Sequence, residues 1–119
     1  MQREALLVAA LVLVASVALA GRMTSGRSVS GFDWRGFERS LISGLKKPLL
    51  VARGSKGYAA CGYVDVATAN KLEEACIIFT GVNTCDDFLT SDVKKVSEAA
   101  AKLGVSVGMM GAQAMELLR

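Results

Sequence analysis

Residues Ala5 to Ala20 read ALLVAALVLVASVALA, sixteen positions with Ser16 as their single polar side chain. A helix over them has no polar face, so it cannot rest one side on a small core and keep the other in water. The remainder of a 119-residue chain is too short to surround it. Folding into a soluble core is therefore left to the residues beyond Ala20. Sixteen helical residues span about 24 Å, short of the ~30 Å hydrocarbon core of a bilayer. Three readings fit the run. As an export signal it ends in Ala18-Leu19-Ala20, a small-x-small cleavage pattern. As an uncleaved anchor it stands between Arg3 and Arg22. In the third, translation starts at Met23 and residues 1–22 are not in the protein. The first two place the protein outside the cytoplasm or at a membrane, the third in the cytoplasm. Membrane contact is expected only through residues 5–20, where they are retained.

Composition excludes several chemistries. With no His, a Ser–His–Asp triad, a Cys–His dyad, an HExxH zinc site and an imidazole switch are all out. Three Cys without a CxxC pair do not make a zinc site. No metal and no cofactor is expected. Fourteen basic against eleven acidic residues leave a net charge of +3, scattered along the chain. Basic and aromatic residues interleave only over Phe32–Arg39, so no nucleic-acid partner is expected.

Residues 23–31 are rich in Ser, Gly and Arg and read as a linker; the folded domain spans 32–119. Phe37–Ile42 alternates as a half-buried strand. Leu49–Ala52 and Tyr58–Val64 read as two strands of a hairpin joined by the loop Arg53–Gly57. Val66, Ala69 and Leu72 mark a short helix capped by Asp65, and Ala75–Phe79 a central strand. Thr84 caps a short helix with Asp86 and Asp87 in its first turn. Val93, Val96, Ala100 and Leu103 predict a helix capped by Ser91 and ended by Gly104. Val105–Val107 reads as extended, and Gly111–Leu118 as a last helix. Strands first and helices mainly in the C-terminal half predict an α+β fold. Its expected sheet is small and antiparallel, with three to four strands and helices packed on it.

Three segments carry a resemblance: KPLLVARGSKGYAACGYVDV, GVNTCDDFL and LGVSVGMMGAQAMELL. In order and spacing they resemble the YunC-like family of small bacterial and archaeal domains. The matching positions include Gly54, Lys56, Gly57, Tyr58, Cys61, Gly62 and Asp65, then Gly81, Val82, Thr84, Asp86 and Leu89. The last block carries Leu103, Gly104, Val105, Val107, Gly108, Met109, Gly111 and Ala114. Cys85 stands where the family usually has an aliphatic residue, and Met115 where it has Leu. The resemblance implies a fold over Phe32–Leu118 and carries no activity.

Candidate site residues come from the side chains themselves. Cys61 is the candidate nucleophile, with Gly62 keeping its backbone surroundings open. A thiolate needs a nearby cation or helix N-terminus, and Lys56 or Arg53 across the hairpin would supply the charge. The alternative is a small buried hydrophobe. Arg53, Gly54, Ser55, Lys56 and Gly57 put two cations, two glycines and a hydroxyl on one loop, a candidate anion site; the alternative is a solvated hairpin tip. Cys76 reads as core. Cys85 sits at a helix start, beside two carboxylates that oppose ionisation. Asp86 and Asp87 point about 100° apart, so dipole stabilisation explains them better than a shared site. Trp34 reads as an anchor or an interface residue.

No catalytic set is complete. The expectation is a non-enzymatic binding or self-assembly module, forming a homo-oligomer because helices on one side of a sheet leave apolar surface uncovered. The alternative is a small anionic-ligand or thiol-dependent protein using Cys61 and the Arg53–Gly57 loop.

Overall fold

A computed structural model describes residues 31–119. The apolar run, its cleavage or anchoring, the Met23 start and the linker up to Ser30 lie outside the described residues. Among the described residues no helix is long and apolar enough to cross a membrane.

In chain order the elements are β1 (Glu38–Ile42), β2 (Leu49–Arg53), β3 (Tyr58–Ala60), α1 (Val66–Lys71), β4 (Cys76–Ile78), α2 (Cys85–Thr90), β5 (Lys95–Val96), α3 (Glu98–Lys102) and α4 (Gly111–Leu118). The class is α+β, as expected. The sheet differs: it has five strands in the order β1-β2-β3-β4-β5, and β3 and β4 run parallel. A parallel neighbour needs a crossover, and α1 supplies it. The other pairs are antiparallel.

The fifth strand comes out of the segment whose spacing predicts a long helix. Val93 N–H donates to Met109 O and Lys94 N–H to Ile78 O, so this backbone is committed to neighbouring segments. The helix begins only at Ser97, whose hydroxyl accepts from Ala100 N–H. Ser91 instead closes α2, its hydroxyl donating to Asp87 O at 2.8 Å. Val93 and Val96 happen to fall at helical spacing while serving an extended segment. Val105–Val107 joins no strand, and its last residue enters a turn with Gly108. Local signals fare better. Asp65 accepts from Ala67 N–H, Thr84 and Asp87 form a reciprocal capping box, and Gly104 takes φ +104°.

Helices lie on both faces of the sheet, not one. On one face Ala60, Cys76 and Ile78 pack with Ala69 of α1, and Val51, Tyr58, Val64 and Val66 close around them. The alternate residues Leu50, Ala52, Ala59 and Ile77 point the other way and are equally buried. There α2 and α4 contribute Phe88, Met115 and Leu118, and Phe79 stacks on Phe88 at 4.9 Å. Gly111 lets these two helices meet: a Cβ on it would lie 1.5 Å from Phe88 O. The start of α2 reaches β1 only at a shallow hollow, where Cys85 and Asp86 stand beside Arg39, Ser40 and Leu41. All five residues of β1 are exposed, against the half-buried alternation expected for it.

The segment before β1 is tied to the far end of the chain. Arg119 donates to Asp33 O and Arg35 O, each at 2.7 Å, and its guanidinium lies over Phe32 and Phe37. Trp34 packs edge-on against both rings and donates to Asp86 Oδ1 at 3.1 Å. Trp34 is thus an anchor of this segment.

Candidate functional site

Cys61 marks the point where β3 leaves the sheet. Its carbonyl turns away to accept Val64 N–H at 3.1 Å, so the strand stops at Ala60 rather than continuing to Val64. Cys61 N–H still donates to Leu50 O at 3.1 Å. In return Leu50 N–H donates to Cys61 Sγ at 3.4 Å. The thiol takes the place that a backbone carbonyl has in an ordinary antiparallel pair. This fixes the sulfur in one orientation, buried at 5% exposure.

Beside it β4 runs parallel, with Phe79 N–H donating to Ala60 O. The chain then turns at Thr80–Gly81, where Gly81 takes φ +70°. Between the two strand ends lies a cavity of about 270 Å³, lined by Lys47, Pro48, Cys61, Gly62, Tyr63, Thr80, Gly81 and Val82. The carboxyl ends of adjacent parallel strands are where α/β sheets commonly place ligands, because the chains diverge there and leave a crevice. Lys47 is a cation of this wall, and its Nζ donates to Asn83 Oδ1 at 3.1 Å. A Cβ on Gly62 would sit at ordinary contact distance, 3.7 Å from Thr80 Cγ2. The missing side chain widens the cavity without being demanded by packing.

The loop Arg53–Gly57 lies at the opposite end of β2 and β3. Cys61 is four residues beyond Gly57, about 13 Å along a strand. The structure therefore does not bring Lys56 or Arg53 to the thiol. The loop itself is closed by packing. Gly54 N–H donates to Gly57 O, and Lys56 N–H donates to Leu118 O. A Cβ on Gly54 would lie 2.2 Å from Leu118 O, and one on Gly57 2.6 Å from Ala75 Cβ. Arg53 pairs with Glu38 at 3.1 Å. Ser55 and Lys56 are exposed, and Glu73 and Glu74 share the hollow beside them. Two carboxylates next to two cations cancel most of the field an anion would feel.

The other candidates have structural partners. Burial pushes the Cys85 thiol up; Arg39 opposes this, while Asp86 and Cys61 add to it. Cys85 Sγ faces Val51 O at 4.0 Å. Burial also pushes Cys76 up, against a hydrogen bond from Tyr58. Asp87 closes the capping box, with Oδ2 accepting from Asn83 N–H and Thr84 N–H, while Asp86 holds Trp34. Among the described residues no three Cys, Asp or Glu side chains converge as a metal site would require.

Sequence reasoning thus finds Cys61 and Gly62 but misses Lys47, Pro48, Tyr63, Thr80, Gly81 and Val82. Their signal is the helix between two strands, which implies a parallel pair and a crevice at its end.

The family described as "Domain of unknown function (DUF1805)" matches residues 60–118. Uncharacterized protein YunC of Bacillus subtilis (strain 168) is 38% identical over 74 residues, 59% of this chain and 73% of that protein. The chain belongs to this YunC-like family. A protein of unknown function from Thermoplasma acidophilum, solved by crystallography, superposes with a TM-score of 0.61 at 32% identity. The match covers 70% of this chain and 93% of the Thermoplasma chain. The family match begins at Ala60, so it takes in Cys61 and the Thr80–Val82 wall. Lys47, Pro48 and the β1–β2 hairpin fall before it.

Proposed function

We propose that this YunC-like domain is a non-enzymatic binding module for a small anionic molecule, held in the cavity at the ends of β3 and β4. One observation carries the reading. A buried thiol, oriented by Leu50 N–H, forms part of the wall of a cavity that also holds a lysine. At about 270 Å³ the cavity lies just below the usual range of small-molecule pockets, about 300–1,000 Å³, which suits a small metabolite rather than a nucleotide. Pro48, Val82 and the Tyr63 ring offer apolar wall, Thr80 a hydroxyl, and Lys47 a charge for a carboxylate or phosphate group. Cys61 takes the part of a soft contact in the wall.

Competitive alkylation of the folded protein tests this, with each cysteine followed by peptide mass. Cys61 is expected to react with iodoacetamide well before Cys76, which is buried with no such cavity. A bound small carboxylate should slow Cys61 and raise the melting temperature. Equal rates at Cys61 and Cys76, reached only as the protein unfolds, would sink the proposal.

A further inference from the structure

We propose that the β1–β2 hairpin is a membrane-surface contact. Leu41, Ile42 and Leu45 enter the headgroup boundary of an anionic bilayer, and Lys46 and its basic neighbours meet the lipid phosphates. The inference is independent of the ligand cavity. Leu41 and Ile42 are each 55% exposed and Leu45 is 50% exposed. Leu41 and Ile42 face opposite sides of the strand, so together with Leu45 in the following turn they give the end of the hairpin apolar surface on both faces.

Charge selects the occupant. The turn after β1 carries Lys46 and Lys47 side by side, and no Asp or Glu occurs from Arg39 to Val64. Arg53 and Lys56 lie at the other end of the sheet, and Asp86, which lines the hollow beside Leu41, accepts a hydrogen bond from Trp34. Glu38, the nearest carboxylate in sequence, is already paired with Arg53. A second copy docking on β1 about a twofold axis would bring these cations toward one another, and like charges across a strand pair destabilise it. An anionic lipid surface offers the opposite sign together with an apolar layer for the leucines and Ile42. The length of chain outside the described residues agrees. Residues 21–30 separate the apolar run from Gly31, and ten residues reach at most about 36 Å. That tether keeps the domain within reach of any bilayer the run enters.

Hydrogen exchange of the full chain tests this, with zwitterionic phosphatidylcholine vesicles compared with vesicles carrying about 30% phosphatidylserine, on the order of a natural anionic leaflet. Amides of residues 41–47 should slow about tenfold with the anionic vesicles only, while those of Ile77 and Ile78 stay unchanged. The slowing should vanish in Ile42→Ser/Leu45→Ser. Reversing one charge with Lys46→Glu should weaken partition about thirtyfold, about fivefold for each unit of charge. These three side chains are exposed, and unchanged exchange at Ile77 and Ile78 confirms that the variants fold. No slowing with either vesicle overturns the proposal. So does slowing of equal size with both, or slowing that rises with protein concentration without lipid, which assigns the hairpin to a second copy. Slowing that persists in the double variant overturns it as well.

Discussion

Replacing Ser97 with Ala removes an oxygen that serves three backbone groups at once. Its hydroxyl accepts Cys76 N–H at 2.8 Å and Ala100 N–H at 3.3 Å, and donates to Glu74 O at 2.8 Å. Ser97 and Cys76 are both fully buried, so no water replaces the acceptor for Cys76 N–H. An orphaned buried donor costs about 1–3 kcal/mol. Loss of the cap on α3 adds about 1 kcal/mol. Glu74 is exposed, so its carbonyl recovers a partner from solvent at little cost. The sum is about 2–4 kcal/mol, or about 8–32 °C in melting temperature for a domain of this size. Urea unfolding followed by circular dichroism reads it as a lower midpoint at constant slope. Ser91→Ala is the control, since it removes the hydroxyl's hydrogen bond to Asp87 O and leaves the backbone bonds of Ser91 in place, and should cost under about 1 kcal/mol. If Ser97→Ala costs no more than Ser91→Ala, the three-way role of this hydroxyl is refuted.

Gly111→Ala places a Cβ 1.5 Å from Phe88 O, a clash no rotamer relieves. It should cost about 3 kcal/mol or more, whereas Gly62→Ala should be tolerated; equal melting temperatures would refute the close approach of α2 and α4. Cys76 and Cys85 have thiols raised above their ordinary value of 9.0 by burial. The unfolded chain releases those protons first, so the stabilisation is complete below pH 9.0 and is lost as pH rises through the folded values. A melting-temperature profile from about pH 8 to 11 should fall, and fall less in Cys85→Ala. Asp33 is held down to about 2 by hydrogen bonds from Arg35, against an ordinary value of 3.8. Its contribution is present above pH 3.8 and is lost as pH falls through about 2. In Arg35→Ala its titration, followed by carboxyl NMR, should return toward 3.8.

What is legible in the sequence is local. Thr84 and Asp87 bond within one turn of each other, and Asp65 and Gly104 act within a few residues, so a short window holds the whole interaction. Ser97 shows where that fails. Nothing local ranks Ser97 above Ser91, because what decides is Cys76, distant in sequence and adjacent in space. The sheet escapes a local reading for the same reason. The parallel pairing of Tyr58–Ala60 with Cys76–Ile78 is a long-range choice, and two-residue β5 is too short to leave a period. The candidate site inherits the difficulty. Cys61 draws attention by its chemistry, but the lysine near it is Lys47, brought in by strand pairing, and not Lys56 from the adjoining loop.

The two strand ends closed by side chains bear on why Cys61 is a cysteine. At one, Ser97 N–H donates to Cys76 O, and Cys76 N–H returns to Ser97 Oγ at 2.8 Å. At the other, Cys61 N–H donates to Leu50 O, and Leu50 N–H returns to Cys61 Sγ at 3.4 Å. The arrangement is the same, but sulfur is the weaker acceptor. Where the demand is only structural, within the core at Ser97, the chain uses oxygen. Where the strand end opens on a cavity it uses sulfur, a weaker acceptor but a more polarisable atom. A serine at position 61 would serve the β2–β3 pair at least as well, so pairing alone does not account for the thiol. What distinguishes the two positions is the cavity beside Cys61, and on the proposed binding role the sulfur's contribution would be a contact with its contents.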